Sequence, residues 1–160
     1  MKAHGFIVMV AVMAMSTSVF ARNTDLIAAV ASGDFATVEK KLQTETDLNI
    51  FTENGFTPLI IACRNGDDKM AALLLAYGAD INLSSRDSSS PLIEAARQGY
   101  SELAELLLIN GADAAYRDSN GLSAADYAAE MIQSSMDRDP RFEQVQKRLQ
   151  EAASSLAKTK

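Results

Sequence analysis

The sequence predicts an all-α fold, a solenoid of stacked helix–turn–helix units with projecting β-turn fingers and a C-terminal capping helix. Three observations carry that prediction. Thr57 to Asp80 and Ser90 to Asp113 align without a gap at an offset of 33 residues, and 13 of the 24 positions are identical. Each copy reads as two helices, with a cap and proline at its start, internal glycine stops and apolar residues at three- and four-residue steps. A repeat of that period cannot bury an apolar face alone, so successive units must stack.

The chain opens with Lys2, an apolar run from Phe6 to Met15 and the small-residue site Val19-Phe20-Ala21. That order is the pattern of a secretory signal cleaved after Ala21, so residues 1–21 are set apart and 22–160 are expected to form one repeat domain. The apolar run is shorter than the roughly 20 residues of an ordinary membrane-spanning helix, and no stop-transfer pattern follows it. The expected destination of the mature chain is the periplasm or the exterior, with no insertion into a membrane. A first, worn unit then occupies about residues 23–50, where Leu26, Ala29, Gly33, Leu42, Asp47 and Asn49 fall in register with Leu59, Ala62, Gly66, Leu75, Asp80 and Asn82.

The two clear units span about 51–83 and 84–116. Thr57 and Ser90 are good N-caps, and Pro58 and Pro91 sit at the first helical position, where a missing N–H costs nothing. The small residues Ala62, Cys63, Ala95 and Ala96 permit close packing, and Gly66 and Gly99 supply left-handed stops. A second helix follows in each unit, with Met70, Leu73, Leu74 and Leu75, or Leu103, Leu106, Leu107 and Leu108, as its apolar stripe, ending at Gly78 or Gly111. The polar stretches after Asp80 and Asp113 carry the chain outward to the next cap.

A fourth unit, about 117–133, repeats the turn as Asn120-Gly121-Leu122-Ser123-Ala124, and Ala128 aligns with Ala62 and Ala95. After a polar loop, Asp139-Pro140 starts a helix of about 140–157, in which Phe142, Val145, Leu149, Ala152 and Leu156 make one apolar stripe. Terminal repeats need a polar outer face, so this helix is expected to close the stack; an amphipathic stripe also suits docking of a partner.

Composition excludes several kinds of chemistry. The chain carries a net charge of −6, and loss of Lys2 with the signal makes it one unit more negative, against the basic field of a nucleic-acid binder. The sole histidine, His4, leaves with the signal, which removes the commonest general base and the imidazole ligands of most zinc sites. Phosphate-cradling glycine motifs and calcium loops are also missing. No catalytic, cofactor-binding or metal-binding residue is therefore assigned, and none of these groups is expected. Cys63, the sole cysteine, lies in an alanine-rich apolar segment that favours a buried, inert thiol over a reactive one.

Gly55-Phe56-Thr57-Pro58-Leu59, Ala62-Cys63-Arg64-Asn65-Gly66, Leu74-Leu75 and Gly78-Ala79-Asp80 resemble the ankyrin repeat, and the resemblance extends over about residues 23–133. The departures are specific: Ile60 and Ile93 replace the family's usual histidine, Ser88 takes a usual glycine position, and Ala124-Ala125 replace a Pro-Leu pair. The resemblance implies a monomeric protein-binding module that recognises a partner through a concave face, formed by the finger tips and the exposed sides of the first helices. Carried onto this chain, that surface comprises Phe51, Glu53, Asn54, Phe56, Arg86, Asp87, Arg117, Asn120 and Leu122 on the turns. Arg64, Asn65, Arg97 and Gln98 come from the first helices.

Arg64 and Arg97 occupy one slot in successive repeats and, with Arg86 and Arg117, predict a cationic ladder suited to acidic groups on a protein partner. Glu53, Asp87, Glu94 and Glu130 equally suit neutralising it within the surface, and the rings at 51 and 56 suit either a partner or the stack itself. On the ladder reading, replacing both Arg64 and Arg97 by alanine leaves thermal stability nearly unchanged. Family analogy extends the implied role to an inhibitor or accessory of an envelope or secreted enzyme, with oxidant defence or structural support of the envelope as alternatives.

Overall fold

The computed structural model describes residues 24–44, 47–134 and 139–158, and every regular element among them is an α-helix. The expected signal segment 1–21 and most of the polar loop before Asp139 lie outside the described residues. No helix among those described is long and apolar enough to cross a membrane. The chain divides into two compact units, Met1–Asp47 and Leu48–Lys160.

In the first unit the chain is helical through 24–32 (α1) and Phe35–Leu42 (α2). Gly33, at φ 70°, turns the chain between them, and Asp34 caps α2 by accepting from the Thr37 backbone N–H at 3.1 Å. An ion pair of 3.2 Å between Lys41 and Asp25 joins the two helices.

The second unit is built from three helix pairs. The first is α3 (Pro58–Asn65) with α4 (Asp68–Ala76), and the second is α5 (Pro91–Gln98) with α6 (Ser101–Ile109). The third is α7 (Ala124–Ser134) with α8 (Pro140–Lys158). The cap-and-proline signals act as their chemistry dictates. Thr57 Oγ1 accepts from the Ile60 N–H and Ser90 Oγ from the Ile93 N–H, each at 3.2 Å, with proline next in both cases. Gly66 and Gly99 end these helices at φ 68° and 74°.

Helices α3, α5 and α7 adjoin in one layer, and α4, α6 and α8 in another. Between the layers Leu59, Ile60, Cys63, Met70 and Leu74, and in the next repeat Leu92, Ile93, Leu103 and Leu107, are at most 1% exposed. Each such side chain contributes on the order of 1.5–3 kcal/mol by leaving water, and this apolar interior is what holds the pairs together.

Helix α8 takes the place of a second repeat helix. A Cβ on Gly66 would stand 2.6 Å from the Tyr100 ring of the following repeat, and one on Gly99 would stand 3.1 Å from the ring of Phe142. Phe142 thus fills beside Gly99 the position Tyr100 fills beside Gly66. Phe142, Val145 and Leu149 are buried, an ion pair joins Arg148 to Glu105 of α6, and the Ser101 hydroxyl meets Gln144 at 3.2 Å. The buried part of the amphipathic stripe therefore packs on its own chain, as a capping helix requires; the side chain of Leu156 lies outside the described residues.

Three fingers project ahead of α3, α5 and α7, and one device shapes them all. Thr52, Ser85 and Asp118 donate their backbone N–H to the carbonyl four residues on, at 2.9, 2.9 and 3.0 Å. Their side-chain oxygens accept the N–H of that same residue, Phe56, Ser89 or Leu122, at 3.0 Å. A side chain that accepts this bond locally outcompetes extended backbone, which is why a short hydroxyl or carboxylate recurs there. The residue before the closing bond is left-handed in each finger: Gly55 at φ 78°, Ser88 at 58° and Gly121 at 77°.

Successive turns are also stitched to one another. Asn49 Oδ1 accepts from the Asp80 N–H at 2.8 Å, and Asn82 Oδ1 from the Asp113 N–H at 2.9 Å. Ala115 stands in the next such slot, so this asparagine ladder stops at the third repeat.

Candidate functional site

The sequence-predicted surface residues fall into two groups. Phe51, Glu53, Asn54, Arg86, Asp87, Arg117 and Asn120 are exposed on the fingers, where Phe56 and Leu122 are half-buried. Arg64, Asn65, Arg97 and Gln98 are exposed in the last turns of α3 and α5.

The four arginines do not form one uniform ladder. Arg86 lays its stem across Gly55, where any Cβ would collide with it, and donates from Nη1 to the Glu53 carbonyl at 3.2 Å while its N–H reaches the Gly55 carbonyl at 3.2 Å. Arg117 donates to the Gly121 carbonyl at 2.7 Å and pairs with Asp126 at 3.0 Å. Arg86 therefore ties its finger to the one before, whereas Arg117 braces its own finger against α7, and Ser119 links that finger back by donating to the Asp87 carbonyl at 3.3 Å.

Arg64 and Arg97 are disposed differently. They face the two carboxylate oxygens of one residue, Glu94: Arg64 Nε stands 3.7 Å from Oε2 and Arg97 Nη1 3.7 Å from Oε1. The Glu94 side chain is only 7% exposed, against 44% and 48% for the arginines. Burial of a carboxylate is tolerated where partners compensate it, and here Ser89 Oγ adds a hydrogen bond to Oε1 at 2.7 Å. Aromatic rings back the guanidinium groups, with Arg64 Cζ 4.4 Å from the centroid of Phe56 and Arg97 Cζ 5.1 Å from that of Tyr127.

The ring under Arg97 is itself fixed, because the Tyr127 hydroxyl donates to Asp118 Oδ2. That bond lowers the Asp118 carboxyl from its ordinary range and raises the Tyr127 phenol, as expected when a hydroxyl stabilises the carboxylate that it faces. The last finger and the α5 surface are thereby connected through one side-chain chain: Arg97, Tyr127 and Asp118.

Glu94 and Tyr127 are the residues that a count of the expected binding surface leaves out. A positional signal for them does exist, since Glu94 and Tyr127 share one slot of the 33-residue period, occupied by Ile61 in the repeat before. That slot lies three residues ahead of the arginine slot and beside the arginine of the preceding repeat, so Glu94 meets Arg64 and Tyr127 meets Arg97. Cys63 lies beneath this surface, fully buried; desolvation, and then the charges of Glu94 and Asp68, push its thiol well above the ordinary range. A thiol so held is not ionised near neutrality and is a poor nucleophile.

What this geometry offers is recognition: an ordered, half-exposed cationic pair on helix ends, between fingers locked in register. Comparison with functionally curated proteins returns no match. The family model describing ankyrin repeats matches residues 26–118 in three copies. Because that match covers more than half of the chain and its helix pairs, glycine stops and fingers recur in the structure, the protein belongs to the ankyrin-repeat family.

Proposed function

We propose that this chain is an exported binding module that receives a protein partner on the exposed sides of α3 and α5 and on the finger tips, without catalysing a reaction. The role that best fits is restraint or support of an envelope or secreted enzyme. Ankyrin repeats are protein–protein interaction modules, and the observation that carries the finer reading is the Arg64 and Arg97 pair. Arginine is enriched where interfaces concentrate their binding energy, and this pair is held ready on rings rather than spent on the fold's own hydrogen bonds. Export is supported by Lys2, the apolar run and the small-residue site ending at Ala21.

The test is affinity capture from envelope extracts with the processed chain, whose first residue is expected to be Arg22. The comparison is a variant carrying Arg64→Ala, Arg97→Ala and Glu94→Gln, in which removal of the cations leaves no buried carboxylate uncompensated. A partner retained by the parent chain and lost by the variant is expected; retention by both would remove this face from the function.

A further inference from the structure

We infer that Arg64 and Arg97 form a receptor for one carboxylate group, supplied by an acidic side chain of the partner polypeptide. This inference rests on the protein-binding reading of the same face and names the chemistry that the face selects.

Donor capacity is the first argument. A guanidinium carries five N–H donors in a fixed fork. At 3.7 Å from Glu94 both arginines are within ion-pair range but beyond hydrogen-bonding reach, and neither donates a hydrogen bond to any described residue. Arg86 and Arg117 contrast with them, because their donors already serve the carbonyls of Glu53 and Gly121. The forks at 64 and 97 are thus unspent on the surface where the other two are occupied.

Order is the second. Each fork lies over an aromatic ring, and one of those rings is tethered in turn by Asp118. A long side chain that rests on a ring before binding loses less freedom when a ligand arrives, so the pair is pre-organised in a way that surface arginines seldom are.

Charge is the third argument, and it selects among anions. Two cations around one buried carboxylate leave a single net positive charge, in a chain whose total is −6. One carboxylate neutralises it, and its two oxygens match the forks. A phosphate dianion brings more negative charge than the pair can compensate with Glu94 so close, and a nucleic acid requires a broader basic field.

The test reads the arginine Nε–Hε resonances of the purified chain by NMR. The probe is an N-acetylated, C-amidated Gly-Glu-Gly peptide, compared with its Gly-Gln-Gly counterpart and with inorganic phosphate. Saturable shifts confined to Arg64 and Arg97 are expected with the glutamate peptide, in the millimolar range natural to one contact, with no response to the glutamine peptide and a weaker one to phosphate. Arg64→Lys with Arg97→Lys keeps cations beside Glu94 and so preserves the fold, while the forks are lost; affinity for the probe, read in both proteins from the backbone amide shifts around positions 64 and 97, is expected to fall about fivefold or more. Equal shifts at every arginine, no shift, a stronger response to phosphate, or unchanged affinity in the lysine variant would each overturn the receptor. Since the probe is a peptide, such a failure leaves the captured partner untouched, whereas failed capture with a responsive pair sinks only the proposed function.

Discussion

Ser88 holds a backbone conformation that its chemistry disfavours. At φ 58° it sits where Gly55 and Gly121 stand in the neighbouring fingers, and a side chain in the left-handed region costs about 1–2 kcal/mol relative to glycine. Its own contribution there is a backbone bond, the N–H to the Ser85 carbonyl at 2.9 Å, which glycine keeps. Ser88→Gly relieves the strain but frees the unfolded chain by roughly 0.4–1 kcal/mol, so the net gain is expected to be about 0.5–1 kcal/mol. Thermal unfolding checks it: a rise in Tm of a few degrees is expected, and an unchanged or lower Tm would show that the finger pays no penalty for its serine. The finger itself is closed by the same reciprocal bonds as the other two, because Ser85 supplies the accepting oxygen that Thr52 and Asp118 supply elsewhere.

At the scale of elements, a helix of different length and sequence completes the stack by reproducing one contact. Helix α8 runs for 19 residues where α4 and α6 run for 9, yet its Phe142 meets Gly99 as Tyr100, the N-cap residue of α6, meets Gly66. Phe142→Ala removes that ring from a site 8% exposed and is expected to cost about 2–4 kcal/mol, slightly below the fully buried case. Since stability in repeat proteins passes between nearest neighbours, amide exchange is expected to speed more in α5 and α6 than in α3 and α4. A denaturation midpoint unmoved by this substitution would mean that α8 decorates the stack without closing it.

Much of this architecture is legible in the sequence because its causes are local. Thr57-Pro58, Ser90-Pro91, Gly66, Gly99 and the stripe through Phe142 and Leu149 act within a few residues of themselves, so their spacing alone places the helices. The site is less legible because its causes are not local. Arg86 packs on Gly55, Glu94 reaches back to Arg64, and Tyr127 underlies Arg97, each across about one repeat. Four arginines that look equivalent along the chain thus divide into two that lock fingers and two that stand ready on the surface. Only stacking decides which is which, although comparing slots one period apart does bring Glu94 and Tyr127 into view.

At the scale of the whole molecule, binding capacity and stability share a residue. The ladder reading implies that Arg64 and Arg97 can be removed with thermal stability nearly unchanged, and burial of Glu94 between them argues for a larger loss. Taking both cations away leaves a carboxylate 7% exposed that keeps, among the described residues, the hydrogen bond from Ser89. Breaking a fully buried ion pair costs about 3–5 kcal/mol, but these arginines are half-exposed and screened, so about 1–2 kcal/mol is expected for Arg64→Ala with Arg97→Ala. For a chain of this size that lowers Tm by roughly 3–8 °C. Adding Glu94→Gln keeps an acceptor for Ser89 and removes the uncompensated charge, so the triple variant is expected to recover most of the loss. The recovery is the informative measurement: if the double and triple variants unfold at the same temperature, Glu94 is not what couples the arginines to the fold, and the loss belongs instead to their packing on Phe56 and Tyr127. If the triple variant recovers, the carboxylate that orders the pair from beneath is also what makes it costly to mutate, and a loss of partner binding in that variant reports on recognition rather than on folding.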